Sequence, residues 1–236
     1  MQSDLFYTMT ATENTTIGLL EKTVLKNGRV IGVRSWSPDT FVEIDLHLPG
    51  VDMSRWDEAR HIKCRVAPFT FRDYTPAGWD APTRTCTLYI DAAHEGPGSR
   101  WARSLEVGDR LYYAGISRTP SAPAALSRMV CLGDETSVGH FLALHQLLPR
   151  SSSLAGAVLL GEETHRACFG DYLRLPLDPL CGGTEALADW VLQREDLLEE
   201  GVFYLAGQSR KVRDLRKVLR DRGVEAARVK AQGFWE

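Results

Sequence analysis

No stretch of this sequence approaches the ~20 consecutive apolar residues that a membrane-crossing helix needs. The longest apolar run is Leu154–Leu160. Cysteine is sparse: five residues, an odd number, with no Cys-x-x-Cys spacing. A disulfide framework and a zinc knuckle are therefore not expected, and the thiols read as reduced ones in a cytoplasmic protein. The histidines lack metal-ligand spacing; His140 and His145, five apart, fall on different helix faces, so no metal is expected. Also missing are the Gly-x-Ser-x-Gly elbow, the Walker loop and the Gly-x-Gly-x-x-Gly turn, which leaves little support for a serine hydrolase, a nucleotide triphosphatase or an ordinary Rossmann dehydrogenase. There is no excess of positive charge. The net charge of -3 gives no reason to expect a nucleic-acid partner. Residues 1–16 are polar and threonine-rich, without a basic start or an apolar core, so a loose tail is expected there rather than a signal peptide.

What is present falls into two halves with different periods. The 236 residues suit one large domain or two of about 110. From Ile17 to about Tyr113 the pattern is mostly period two. Val42, Ile44, Leu46 and Leu48 share one face, as do Cys86, Leu88 and Ile90. Asn27-Gly28, between two apolar runs, is a hairpin signal. Several short strands of this kind predict an antiparallel sandwich or barrel. The segment Arg118–Ser127 has linker composition, placing a boundary near residue 120 and dividing the chain into 17–120 and 121–236. Beyond it, strands and helices alternate. Met129–Leu132, Leu154–Leu160, Tyr172–Leu177 and Val202–Ala206 read as strands. Val138, Phe141, Leu142 and His145 mark one helix face, Leu187, Trp190 and Val191 a second, and Val212, Leu215, Val218 and Leu219 a third that ends at Gly223. This alternation predicts a parallel sheet covered by helices.

Three short motifs carry chemistry. Arg72-Asp73-Tyr74-Thr75 offers a guanidinium fork for a phosphate, an aromatic plane for a flavin ring and a hydroxyl for its edge; an ordinary strand with an exposed Arg fits the same residues. Gly96-Pro97-Gly98-Ser99 runs into a short helix. The glycines permit close backbone approach, and free N–H groups at a helix start suit a pyrophosphate; a plain loop before an amphipathic stretch fits equally. Gly133-Asp134-Glu135-Thr136 follows a buried strand at the edge where α/β sheets bind nucleotides, and also reads as an acidic helix cap. Arg210, Lys211, Arg213, Arg216, Lys217, Arg220 and Arg222 line one basic helix, read as a solvated face whose first turn, after Ala206-Gly207, is in reach of a nucleotide.

In this order the motifs resemble the siderophore-interacting protein family, flavin-dependent ferric-siderophore reductases related to ferredoxin reductases. The resemblance runs from about Ile17 to Trp235. It rests on His61-Ile62-Lys63, Arg72-x-Tyr74-Thr75, His94-x-Gly96-Pro97-x-Ser99-Arg100-Trp101, Gly108–Leu111, Leu132–Thr136, Tyr204–Gly207 and Gly233-Phe234-Trp235. Two positions depart from the family pattern: Ala77 stands where a second Arg is common, and Ile116-Ser117-Arg118 where a glycine-rich turn is common. The resemblance implies a flavin β-barrel followed by an α/β domain for NADH or NADPH, with non-covalent FAD held by Arg72, Asp73, Tyr74, Thr75, Asp91, His94, Gly96, Pro97, Gly98, Ser99, Thr136 and Trp235. It places the nicotinamide nucleotide at Gly133, Asp134, Glu135, Thr136 and Gly207. The implied activity is reduction of a ferric siderophore, releasing Fe(II). An anionic siderophore calls for cations: Lys63 and Lys230 by the resemblance, and Arg118 by its place at the domain junction. The rival readings are a reductase serving a ferredoxin-like protein and a non-enzymatic flavin or siderophore binder.

Overall fold

In the computed structural model, which describes residues 24–119, 122–123 and 128–236, the period-two half becomes one antiparallel sheet. Its strands are β1 (Lys26–Trp36), β2 (Phe41–His47), β3 (Arg60–Ala67), β4 (Thr70–Tyr74), β5 (Ala77–Asp80), β6 (Thr85–Asp91) and β7 (Arg110–Arg118), in the order β4-β3-β7-β1-β2-β6-β5. The two alternating runs face each other across one ladder: Val42 opposite Ile90, Ile44 opposite Leu88, Leu46 opposite Cys86. All six side chains are buried in one core. The sheet curls until β4 comes against β6, and helix α1 (Pro97–Ser104) packs on β2, β3 and β6 with Ala102 in the core.

The hairpin expectation at Asn27-Gly28 is wrong. Both residues lie inside β1, opposite Tyr112 and Leu111 of β7. A Cβ on Gly28 would lie 2.8 Å from the His47 carbonyl oxygen and overlap Leu48. The glycine serves a close backbone approach rather than a turn.

The second half forms a parallel sheet from β8 (Arg128–Asp134), β9 (Ser153–Leu159), β10 (Asp178–Leu180), β11 (Gly201–Gln208) and β12 (Val229–Trp235), in the order β10-β9-β8-β11-β12. Its central strands β8 and β11 are apolar on both faces, as a doubly covered sheet requires. Val130 and Leu132 pack under α5 (Thr184–Leu192), α6 (Glu195–Glu200) and α7 (Ser209–Asp221). Met129 and Cys131 face the other way, toward α2 (Val138–Leu147). Gly223, with φ 81°, ends α7 as its sequence signal indicates.

Two expectations fail here. Tyr172 closes a helical turn, α4 (Phe169–Tyr172), which follows the short α3 (Glu163–Ala167), and the extended residues after it join no ladder until Asp178. Leu173, Leu175 and Leu177 are buried in alternation, but Pro176 interrupts the segment and has no N–H to donate to a ladder. His145 is exposed, whereas Val138, His140, Phe141, Ala143 and Leu144 are buried. Helix α2 is covered on two sides because it lies between its own sheet and strands β5 and β6 of the first sheet. One core accordingly joins the halves, with Trp36, Phe41, Ala59 and Ala77 packed among Met129, Phe141 and Tyr204. The expected tail at 1–16 lies outside the described residues, as do 120–121 and 124–127 of the linker segment.

Candidate functional site

Where the two sheets meet, a cleft of about 580 Å³ opens. Strand β4, paired with β3, carries Arg72–Tyr74 and the following Thr75 to one wall, and the Gly96–Ser99 turn at the start of α1 forms an adjoining wall. The other side comes from the second half: Thr136 in the 3-10 turn Glu135–Ser137, Gly139 and His140 in α2, and Gln232–Trp235 in β12. The structure thus brings together every residue assigned to FAD in the sequence reading, from segments as distant as 72 and 235.

The local geometry explains the residue types. Gly96 caps α1 in extended backbone and Pro97 opens its first turn, so the first N–H groups have no intrahelical partner and sit at the cleft. Only one of the two glycines is demanded by sterics within the protein. A Cβ at Gly98 would lie 2.6 Å from the Tyr74 hydroxyl, whereas a Cβ at Gly96 would meet nothing within 4 Å. Tyr74 stacks on Trp101 at 5.7 Å and 17°, which fixes its ring on α1, and burial pushes its phenol pKa up. Arg72 is exposed, its guanidinium donating to the Phe71 carbonyl at 2.7 Å.

Across the cleft, Trp235 ties the end of the parallel sheet to both halves. Its indole N–H donates to Thr136 Oγ1 at 3.3 Å, and its ring lies 6.2 Å from that of His94. His94 Nε2 is 3.5 Å from Asp91 Oδ2, and Asp91 accepts the Ala93 N–H at 3.0 Å. Burial raises the pKa of Asp91, and it also raises that of Glu135 beside the cleft.

The residues assigned to the nicotinamide nucleotide are placed differently. The strand order reverses between β8 and β11, so the crevice at their carboxyl ends is the natural ligand position of an α/β sheet. Asp134 occupies that crevice. Its carboxylate, 1% exposed, accepts N–H from Gln208 at 2.9 Å and Thr136 at 3.2 Å and pairs with Lys211 at 3.4 Å. Gly207, with φ 119°, lies so close that a Cβ would come 2.5 Å from Asp134 Oδ1. The capping role that the sequence allowed for Asp134 is the one it performs. Gly133, Glu135 and Gly207 flank this crevice, and only Thr136 of the group reaches the cleft wall.

The three substrate cations stand outside the cleft wall. Lys63 lies two residues along β3 from His61, which lines the cleft, and pairs with Asp73 at 3.6 Å. Arg118 is held by Glu58 at 2.5 Å and Asp57 at 3.3 Å. Lys230 is exposed on β12, two residues before the cleft residue Gln232. The departure at Ala77 has a packing cause: the residue is fully buried in the core shared by the two sheets, where an arginine would be sealed from any phosphate.

No site role was read from the sequence for Tyr89 or His140, and His61 entered only through the resemblance, yet all three line the cleft. His140 was weighed only as a metal ligand. A histidine beside a glycine, within an apolar helix directly after the Gly133–Thr136 motif, was the signal it carried.

Comparison with known proteins agrees with this architecture. Residues 9–118 match the family model described as the siderophore-interacting FAD-binding domain, and residues 126–236 the model described as siderophore-interacting protein. The chain belongs to the siderophore-interacting protein family. A search of curated proteins finds no match. Among solved structures, the siderophore-interacting protein from Acinetobacter baumannii is 18% identical with a TM-score of 0.71, covering 89% of this chain and 90% of that one. A siderophore utilization protein from T. fusca is 22% identical with a TM-score of 0.69, covering 90% and 94%. The ferredoxin reductase in carbazole 1,9a-dioxygenase reaches a TM-score of 0.73 at 18% identity, covering 89% and 69%. The fold of this siderophore-interacting family member is therefore ferredoxin-reductase-like, with an FAD-binding first domain. Among the described residues no helix is long and apolar enough to cross a membrane.

Proposed function

We propose that this protein is a cytoplasmic flavoenzyme that passes electrons from NADH or NADPH through non-covalent FAD to a ferric siderophore. The observation that carries the reading is the composite cleft. A helix start bearing Gly98 and Ser99, the guanidinium of Arg72 and the aromatic pair Tyr74–Trp101 come from one domain, and Trp235 closes over them from the other. These residues suit a long ligand with a pyrophosphate and a flat ring. The N–H groups at the start of α1, the Ser99 hydroxyl and Arg72 would hold the phosphates, while Tyr74, Thr75 and Trp235 would wall the ring. Bound FAD supplies the redox chemistry, exchanging electrons in pairs with a nicotinamide and singly with Fe(III). The division into domains 17–120 and 121–236 belongs to the same proposal.

The nucleotide is assigned to the turn Gly133–Thr136 and to Gly207, where backbone rather than the buried Asp134 carboxylate would meet it. For the substrate, Lys63 and Lys230 are preferred over Arg118. Each shares a strand face with a residue of the cleft, and Lys63 pairs with the single carboxylate of Asp73, whereas the Arg118 guanidinium is held by two.

The test begins with the absorption spectrum of the purified protein, followed by anaerobic addition of NADH, then NADPH, then ferric siderophore. Bleaching by either nucleotide and recovery with the siderophore support the reading. Protein that stays colourless after incubation with FAD overturns it, and flavin that no nicotinamide bleaches would make the protein a binder. Arg72→Ala is expected to weaken FAD by about tenfold or more, the loss of a charge-assisted hydrogen bond. A second reading, electron exchange with an acidic ferredoxin-like protein, draws on the exposed cations Arg213, Arg216 and Lys217 of α7. Reversal of these three charges should leave siderophore reduction intact; loss of activity in that variant would favour the protein partner.

A further inference from the structure

His140 sits in the first turn of α2, 2% exposed, with its ring on the wall of the cleft. Its Nδ1 is buried and has no hydrogen-bond partner among the described residues. The described ring contacts are apolar: the Phe234 ring stands edge-on at 5.6 Å and Phe141 lies at 6.4 Å. A leucine or phenylalanine would fill this position without stranding a polar nitrogen, so the closed protein alone does not account for an imidazole here. The neighbouring Gly139 packs on the Thr75 carbonyl and on Tyr89, with its Cβ position 3.2 Å and 3.5 Å away. That contact sets the first turn of α2 beside the wall assigned to the ring.

The state of the imidazole narrows what it can bind. Burial depresses its pKa to about 4, and no charged group contributes to that shift. At neutral pH the ring is uncharged, with one nitrogen donating and the other accepting. A phosphate or carboxylate would call for a cation. A neutral ring nitrogen, which can either donate or accept, instead suits a heterocycle edge that offers both N–H and carbonyl groups.

We propose that His140 recognises the ring of the bound cofactor, its unpartnered nitrogen completing a hydrogen bond with the polar edge of the isoalloxazine. This rests on the flavin reading above and assigns to it a contact from the second domain. His140 is then a specificity residue for the ring, while α1 holds the phosphates.

The test uses the full-length protein, stripped of flavin, as wild type, His140→Phe and His140→Gln. Each is titrated with FAD and, separately, with ADP, which carries the pyrophosphate without the flavin ring. The phenylalanine variant should bind FAD about tenfold or more weakly, bind ADP as wild type does, and melt no lower than wild type when flavin-free. Its bound flavin should show a shifted visible absorption band, and the glutamine variant should recover most of the affinity. Equal FAD affinity in the phenylalanine variant overturns this inference while leaving the flavin reading intact. A parallel loss of ADP binding, or a lowered melting temperature unrelieved by glutamine, also overturns it, since either marks a structural role. Wild-type protein that binds no FAD overturns the flavin reading and this inference with it.

Discussion

Two buried polar groups, Asp134 and His140, lie within seven residues of each other and serve opposite ends. Asp134 is fully satisfied, with donors from β11, the 3-10 turn and α7 converging on one carboxylate. Asp134→Ala would strand the Gln208 and Thr136 amides and leave Lys211 without its partner. The expected loss, about 3–5 kcal/mol, is that of breaking a buried pair from one side, and urea unfolding would measure it; a loss below 1 kcal/mol would contradict the bracket described here. His140 has no partner for Nδ1 among the described residues, and burial of its ring sets its titration. Above about pH 6.5 the ring is neutral in both the folded and the unfolded chain, and it has no effect on the pH dependence of stability. As the pH falls from 6.5 toward 4, the unfolded chain takes up a proton that the folded site refuses, so stability is lost. The loss should reach on the order of 3 kcal/mol by pH 4. Flavin-free His140→Phe should lack this component, and parallel stability curves for the two proteins over that window would contradict the assignment.

At the scale of elements, α1 is held by what it packs against rather than by its length. Eight residues make a marginal helix in water. Ala102 buried in the barrel and Trp101 stacked on Tyr74 keep it in place, with its N-terminus open to the cleft. Gly98 is the point of closest approach. Gly98→Val should drive the Tyr74 hydroxyl and Arg72 aside, lowering FAD affinity at least about tenfold at a modest cost in stability, on the order of 1–3 kcal/mol for overpacking. Gly96→Ala, with open space around its Cβ, is the control for protein sterics. If the two substitutions affect flavin binding equally, the cradle is not set by the Tyr74 contact.

The whole molecule is joined by one core rather than by a linker alone. Trp36 of β1 stacks on Tyr172 at 4.5 Å and 3°, and the Tyr172 hydroxyl accepts the Ser37 N–H at 3.1 Å. Thr164 donates to the Ser37 carbonyl at 2.9 Å, and Gln146 of α2 exchanges two hydrogen bonds with the Trp79 backbone at 3.1 and 2.8 Å. With α2 buried between the sheets, neither half retains its full core when the other melts. Calorimetry of the flavin-free protein should therefore show a single transition. Tyr172→Ala should lower that transition, by on the order of 1–3 kcal/mol, less than a fully buried aromatic would cost, because the ring is half-buried. Two separate transitions in the wild type would mean that the shared core contributes little.

Sequence alone determined what depends on near neighbours. Alternation in Val42–Leu48 and Cys86–Ile90 specified two strands with one apolar face each, because period two dictates which side chains share a face, and the structure pairs them. Glycine, proline and serine before Arg100 specified a helix start, and Gly223 a helix end, because backbone conformation is a local property. The grouping of the motifs assigned to FAD on one cleft wall was also legible, since they lie in short continuous segments whose order is itself informative. Tertiary structure decided whatever required two distant segments to meet. Asn27-Gly28 has the composition of a turn, yet Leu48 and His47 press on it and make it part of a strand. Tyr172–Leu177 has the alternation of a strand, yet proline and its position against Trp36 keep it out of the ladder. Asp134 has the look of a ligand residue until Gly207 and Gln208 close on it from β11. In the sequence His140 shows only that it lacks metal-ligand spacing to His145. Only the packing of α2 against β5 and β6, which no local pattern encodes, buries this cleft residue and leaves its Nδ1 without a partner among the described residues.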